Sequence, residues 1–204
     1  MRQPNRLPYL AFAVAATPFL IISGYTALGF GAWNTVGIEL LFIPLVLAAI
    51  AIPILLLIAV FNRPRREALI LAQACAGAIL GGVVGNIAGA QLRMRGFELA
   101  ARRAEPLVAA VSAYQHRHGR PPATIAALIP EYLPSLPPGL PPMELRTGER
   151  AQREFGGNDW ALVAKVSRGM SNWDLFLYLP NQNYPPTGYG GTLERLGDWV
   201  YVHE

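Results

Sequence analysis

The side chains able to do chemistry are few, and their spacing suits little of it. Asp159, Asp174 and Asp198 each stand beside a tryptophan, at positions 160, 173 and 199. Two carboxylates beside aromatic rings are the groups that cleave glycosides. An aspartate flanking a strand more commonly caps or turns the chain, so no catalytic residue is expected. His116 and His118 are two positions apart. On a helix they diverge by about 200° and cannot share a metal. His203 could join them only through folding, and no metal site is expected. The one cysteine, Cys75, lies in an apolar run. It has no partner for an internal disulfide or a thiolate metal site and reads as a packing residue. The chain carries no G-x-S-x-G, P-loop or H-E-x-x-H pattern. No cofactor is implied.

Aromatic rings crowd the last fifty positions, with Asn158, Asn172, Asn181, Gln182 and Asn183 among them. Rings with amides can form a sugar- or peptide-binding surface. About half of these rings must be core if strands alternate. The loop Asn181 to Gly191, through Asn181, Asn183, Tyr184 and Tyr189, is the best place for an exposed contact. The competing reading is a structured loop folded over a sheet edge.

What must position these groups is unusual in composition. Of 204 residues, 52% are hydrophobic and 15% charged, against about 25% charged in soluble domains. Disorder as the main state is excluded. The apolar residues concentrate in three uncharged runs, giving expected membrane helices at about 8–30, 40–61 and 68–92, each long enough to cross a bilayer. Pro18, Pro44 and Pro53 are tolerable there if neighbours satisfy the freed backbone groups. The first run is too long for a signal peptide and lacks a clear A-x-A site, so it reads as an uncleaved span.

The net charge is +4, but its placement argues against nucleic acid. Residues 1–92 hold five Arg and two acids; residues 93–204 hold twelve basic and eleven acidic groups. No basic face stands out. Arg2 and Arg6 precede the first run, and Arg63, Arg65 and Arg66 follow the second, while Gly31 to Glu39 has no Lys or Arg. Basic flanks stay cytoplasmic, which predicts a cytoplasmic N-terminus and an extracytoplasmic C-terminal part in a plasma (inner) membrane. Arg93, Arg95, Arg102 and Arg103, after the third run, oppose this orientation.

Gly77, Gly81, Gly85 and Gly89 recur every four residues. They share one helix face and make a groove that another helix can approach closely. Asn86 lies in the same stretch and needs a hydrogen-bonding neighbour. The face can pack within the chain, self-associate, or dock a partner helix.

Past Leu92, Phe97, Ala100, Ala104, Leu107, Val111 and Tyr114 step by three or four, predicting the apolar face of a helix. Unbroken from about 68 to 118, it would be roughly 75 Å long. Pro106 is expected to kink it, and Gly119 with Pro121 and Pro122 to end it. Thr124 can cap a short helical turn through Leu128. Strands are expected near Met143 to Arg146, at Trp160 to Ser167, Asp174 to Leu179 and Asp198 to Val202. Residues 168–172 read as a hairpin turn. A small antiparallel sheet would bury its apolar face on the helix. The division is therefore a three-span domain, 1–92, and an α+β domain, 93–204.

This order of parts resembles type IV pilins and the major pseudopilin of type II secretion, over about residues 92–204. The residues that carry the resemblance are Pro106-Leu107-Val108-Ala109-Ala110-Val111, Tyr114, Gly119-Arg120-Pro121-Pro122-Ala123-Thr124 and Leu128. The chain is also similar to bacterial membrane proteins with a Tyr-Leu-Pro segment after this helix, here Tyr132-Leu133-Pro134. The resemblance implies a pilin-like fold. It does not extend to pilus assembly: Gly96-Phe97-Glu98-Leu99 looks like a leader-cleavage site, but it lies downstream of three spans and no long apolar run follows it. The expected function is a non-enzymatic envelope protein, in the bilayer, whose pilin-like module binds an envelope protein or self-associates through the third span. A glycan or small-molecule binding module is the alternative, and a cell-wall-acting enzyme the weakest reading.

Overall fold

Uninterrupted apolar sequence yields three long helices. The structure, a computed structural model, describes residues 5–31, 33–35, 37–61, 65–170 and 172–203. Arg2 and Arg63 of the basic flanks, and Ser171 of the expected turn, lie outside the described residues. Helix α1 is Leu7–Leu28; α2 is Ile43–Phe61, entered by a 3-10 turn at Ile38–Phe42; α3 is Arg65–Arg103. Each holds a stretch long and apolar enough to cross a membrane. Two of their ends depart notably from the expected runs. Helix α1 stops at Leu28, because Gly29 takes φ 79°. Helix α3 runs on to Arg103, since its apolar face continues beyond the uncharged stretch.

The chain divides into two units, Met1–Gly24 with Gly37–Arg93, and Tyr25–Val36 with Met94–Glu204. In the first, α3 lies against α1 along its glycine face and against Leu45 of α2 at Gly82. Pairing of Gly77 with Pro8, Gly81 with Phe12 and Gly85 with Ala16 makes α1 and α3 parallel.

The second unit claims residues 25–36, which the sequence placed with the spans. Trp33 is buried with its ring 5.3 Å from Phe97, and the Thr35 N–H donates to the Ser167 carbonyl at 2.9 Å. The end of α1 explains how the chain turns there. Gly29 N–H donates to the Thr26 carbonyl and Phe30 N–H to the Tyr25 carbonyl, while the Tyr25 and Phe30 rings sit 6.3 Å apart. This is a Schellman ending with its usual apolar contact.

The helix stretch expected from about 68 to 118, with a kink at Pro106, is interrupted at Ala104. Helix α3 stops at Arg103, and α4 begins at Glu105 and runs to His118. Pro106 has no N–H to offer the preceding turn, so the break falls just before it. Gly119, at φ 68°, closes α4 and donates to the Gln115 carbonyl at 2.8 Å. The 3-10 turn Ile125–Leu128 starts at Thr124, whose carbonyl rather than side chain makes the closing bond, to Ala127 N–H.

The sheet is larger than expected. Its strands are β1 Met143–Thr147, β2 Trp160–Lys165, β3 Leu175–Tyr178, β4 Thr187–Gly188, β5 Gly191–Leu196 and β6 Trp199–His203. All neighbours are antiparallel in the order β1-β2-β3-β6-β5-β4. One face, with Trp160, Leu162, Ala164, Phe176 and Tyr201, shares a core with Phe97, Ala100, Leu107 and Val111 of the helices. The other face, through Ala161, Val163, Leu177 and Leu179, packs on Ala151 and Phe155 at α5, Gly148–Glu154. Alternation therefore sorts residues to two covered faces, so β2 is buried along nearly its whole length.

Candidate functional site

The glycine face is occupied within the chain. A Cβ on Gly81 would strike the Phe12 carbonyl, one on Gly85 would lie 2.7 Å from Ala16 Cα, and one on Gly89 2.8 Å from Ser23 Oγ. Gly77 abuts the Pro8 backbone in the same way. Asn86, on the same helix, is half-buried and makes a polar contact. Lacking side chains, these glycines let α1 come close enough for backbone packing.

Asn181, Asn183, Tyr184 and Tyr189 are brought together in a loop that is tied down. Buried Asn158 organises it. Its Oδ1 accepts from the Asn181 N–H at 2.9 Å, and its Nδ2 donates to Asn183 Oδ1 at 2.7 Å. Asn183 Nδ2 in turn donates to the Gly156 carbonyl at 2.8 Å. The Tyr184 hydroxyl accepts from the Leu179 N–H at 2.8 Å and donates to the Asp198 carbonyl at 2.7 Å. Tyr189 packs 5.7 Å from Phe155. The segment also contains β4, and Tyr189-Gly190 forms its two-residue turn, with φ 56° and 92° as a type I′ hairpin needs. Tyr184 and Tyr189 thus help cover the second sheet face, although Asn181 and Asn183 keep exposed surface.

Burial pushes the Tyr184 hydroxyl well above the usual tyrosine range, outweighing the Leu179 bond and the Arg195 charge that oppose it. Tyr178 and Tyr189 shift the same way, also through burial first. A raised value means this stabilisation is whole below about pH 10, where unfolded tyrosine ionises. It is lost as pH rises through the higher folded value. Tyr184→Phe should cost about 1–3 kcal/mol near neutral pH by leaving the Leu179 N–H unmet. Its denaturation series above the tyrosine range should fall less steeply than that of the parent. Parallel alkaline limbs would remove Tyr184 from this role.

The aspartates hold elements together. Asp159 accepts from Gln115 Nε2 at 3.2 Å and from Gln152 Nε2 at 2.9 Å, joining α4 and α5. Gln115 also accepts from Trp160 Nε1 at 2.8 Å. Buried Asp174 accepts from the Tyr201 hydroxyl at 2.5 Å. The histidines stay separate in their bonding. His118 Nε2 is 3.0 Å from the Tyr132 hydroxyl, His203 Nε2 2.8 Å from Glu194 Oε2, and His116 is exposed. Cys75 is half-buried in α3. Among the described residues, no three His, Cys, Asp or Glu side chains cluster to hold a metal ion.

A concave site that the sequence reading missed lies in the second unit. Its cleft of about 570 Å³ is lined by Glu98, Arg102 and Glu105 from the helices, Arg195 and Asp198 from the β5–β6 end, and Trp199. Positions 98, 102 and 105 share a helix face, a spacing legible in the sequence. Of their partners, Arg195 came from β5, a polar strand that the apolar pattern did not mark. Arg195 is fixed by a bond to Gln182 Oε1 at 3.2 Å and by stacking 4.4 Å over the Tyr184 ring. Guanidinium and carboxylate groups facing one cleft suit recognition of a partner bearing both charges. No protein-family model, curated protein or solved structure matches this chain, so its architecture and this charged cleft are what a functional reading must stand on.

Proposed function

We propose that the chain is a non-enzymatic protein of the inner membrane. Its N-terminus is cytoplasmic, and its pilin-like second unit is extracytoplasmic and mediates protein–protein interaction or assembly. One observation carries this reading. The segment after α1 and everything after α3 belong to one unit. They therefore share a side, as two further crossings by α2 and α3 require. The N-terminal arginines and the Arg-rich 62–67 loop then fall together on the other side, where basic residues belong. Of the arginines that oppose this orientation, Arg93 is buried and Arg103 lies against Gly29 and Gly139. A helix followed by an antiparallel sheet packed on it supports the pilin-like reading. The Asp159 and Asp174 carboxylates, engaged in fold-holding bonds, favour binding over catalysis.

Alkaline phosphatase fused after residue 204 should be active, and a fluorescent protein fused there dark. The same reporters inserted after Arg66 should give the opposite result. A bright fluorescent fusion after residue 204, without phosphatase activity, would place the second unit in the cytoplasm and end the envelope reading. The cleft favours a second reading, a glycan or small-molecule module. Trp199 in its wall should then report cell-wall sugars by a change in emission, and a flat response across a broad panel would remove this reading.

A further inference from the structure

The β2–β3 hairpin carries the one exposed tryptophan among the described residues. Trp33, Trp160 and Trp199 are all buried, whereas Trp173 is 67% exposed and Met170 61% exposed. Trp173 also makes an interaction within the protein. The hairpin is tied to the segment after α1 by the Thr35–Ser167 bond, and Trp33, two residues before Thr35, is anchored on Phe97. At that end of α1, Tyr25 and Phe30 are exposed as well. Between Asp159 and Asp174 the chain has no acidic residue, and Lys165 and Arg168 flank the hairpin tip. Tryptophan and tyrosine favour the boundary between hydrocarbon and water, and cationic groups beside them suit anionic headgroups.

We infer that Met170 and Trp173 sit in the headgroup layer of the bilayer that α1 crosses, holding the second unit down on its own membrane. This rests on the membrane reading proposed above. The occupant is the lipid surface because the Thr35–Ser167 bond ties the patch's hairpin to the short segment that leaves an apolar helix.

The test uses the full chain in vesicles of phosphatidylcholine and phosphatidylglycerol. An environment-sensitive fluorophore is placed on Met170→Cys, in a Cys75→Ser background. Arg120→Cys, beyond α4, and Val60→Cys, exposed in α2, serve as references. Headgroup nitroxide lipid should remove most of the emission at 170, and iodide should remove little. At 120 the pattern should reverse. Acyl-chain nitroxide should quench the label at 60. Quenching at 60 with a bright, iodide-accessible label at 170 overturns this inference and leaves the membrane reading standing. A label at 170 shielded from both quenchers also overturns it, since protein would then cover the tip. Absence of quenching at 60 defeats the membrane reading and this inference with it. Trp173→Cys provides a second position, and the same pattern is required there.

Discussion

Gly81→Leu should unseat α1 from α3 and sharply lower the amount of folded protein. A Cβ at Gly81 meets the Phe12 carbonyl, and Phe12 Cα at 2.7 Å. Both are backbone atoms, so no rotamer change relieves the clash and the helices must separate. Overpacking typically costs about 1–3 kcal/mol when side chains can adjust. A clash of backbone against a leucine should reach the top of that range or exceed it. Gly82→Ala should be milder, because its Cβ meets the flexible end of Leu45, and Leu45→Ala should largely rescue it. Phe12→Ala should not rescue Gly81→Leu. Gly24→Ala is the neutral reference, since nothing lies within 4 Å of its Cβ and alanine is favoured in helices by up to about 1 kcal/mol. Thermal unfolding of the detergent-solubilised chain ranks these variants. The loss should not depend on protein concentration, because the glycine face is filled within one chain. A concentration-dependent loss would assign the face to self-association instead.

The glycine period was legible because a four-residue repeat of one residue type marks a helix face without any tertiary knowledge. Its occupant was not, since α1 presents backbone at Pro8, Phe12 and Ala16 rather than a complementary motif. The helix face from Phe97 to Val111 was equally legible, and Phe97, Ala100, Ala104, Leu107 and Val111 are all fully buried. Apolar spacing could not reveal α5, whose sequence is polar and buries only Ala151. Nor could it reveal β5, where Thr192, Glu194 and Arg195 are exposed. Pairing to β6 makes that segment a strand, and pairing is a tertiary fact. The loop 181–191 reads as irregular for the same reason. Its order comes from Asn158, more than twenty positions upstream, through side-chain bonds that no local pattern encodes. The cleft was hidden because Arg195, which faces the helix charges across it, stands on that unrecognised strand.

Phe97→Ala should be the most damaging single truncation in the second unit. Its ring is fully buried and lies 5.3 Å from Trp33, 5.1 Å from Phe176 and 4.9 Å from Tyr201. It thus joins helix α3, two neighbouring strands and the segment after α1 in one contact set. Removing a buried phenylalanine costs about 3–5 kcal/mol, the upper end applying where the cavity cannot collapse. Sheet positions on one side and a helix backbone on the other leave little freedom to collapse. Leu99→Ala, two positions along the same helix and 40% exposed, should cost well under half as much. Trp33→Ala should be destabilising alone but add little to Phe97→Ala, since both remove one ring pair. Tryptophan emission during denaturant unfolding reads all three, with the double variant closing the cycle. Full additivity of Trp33→Ala and Phe97→Ala would mean that residues 25–36 are held to the second unit by other contacts. The Thr35–Ser167 bond would then be the first of these to test, because it ties that segment directly to the hairpin proposed to rest on the membrane.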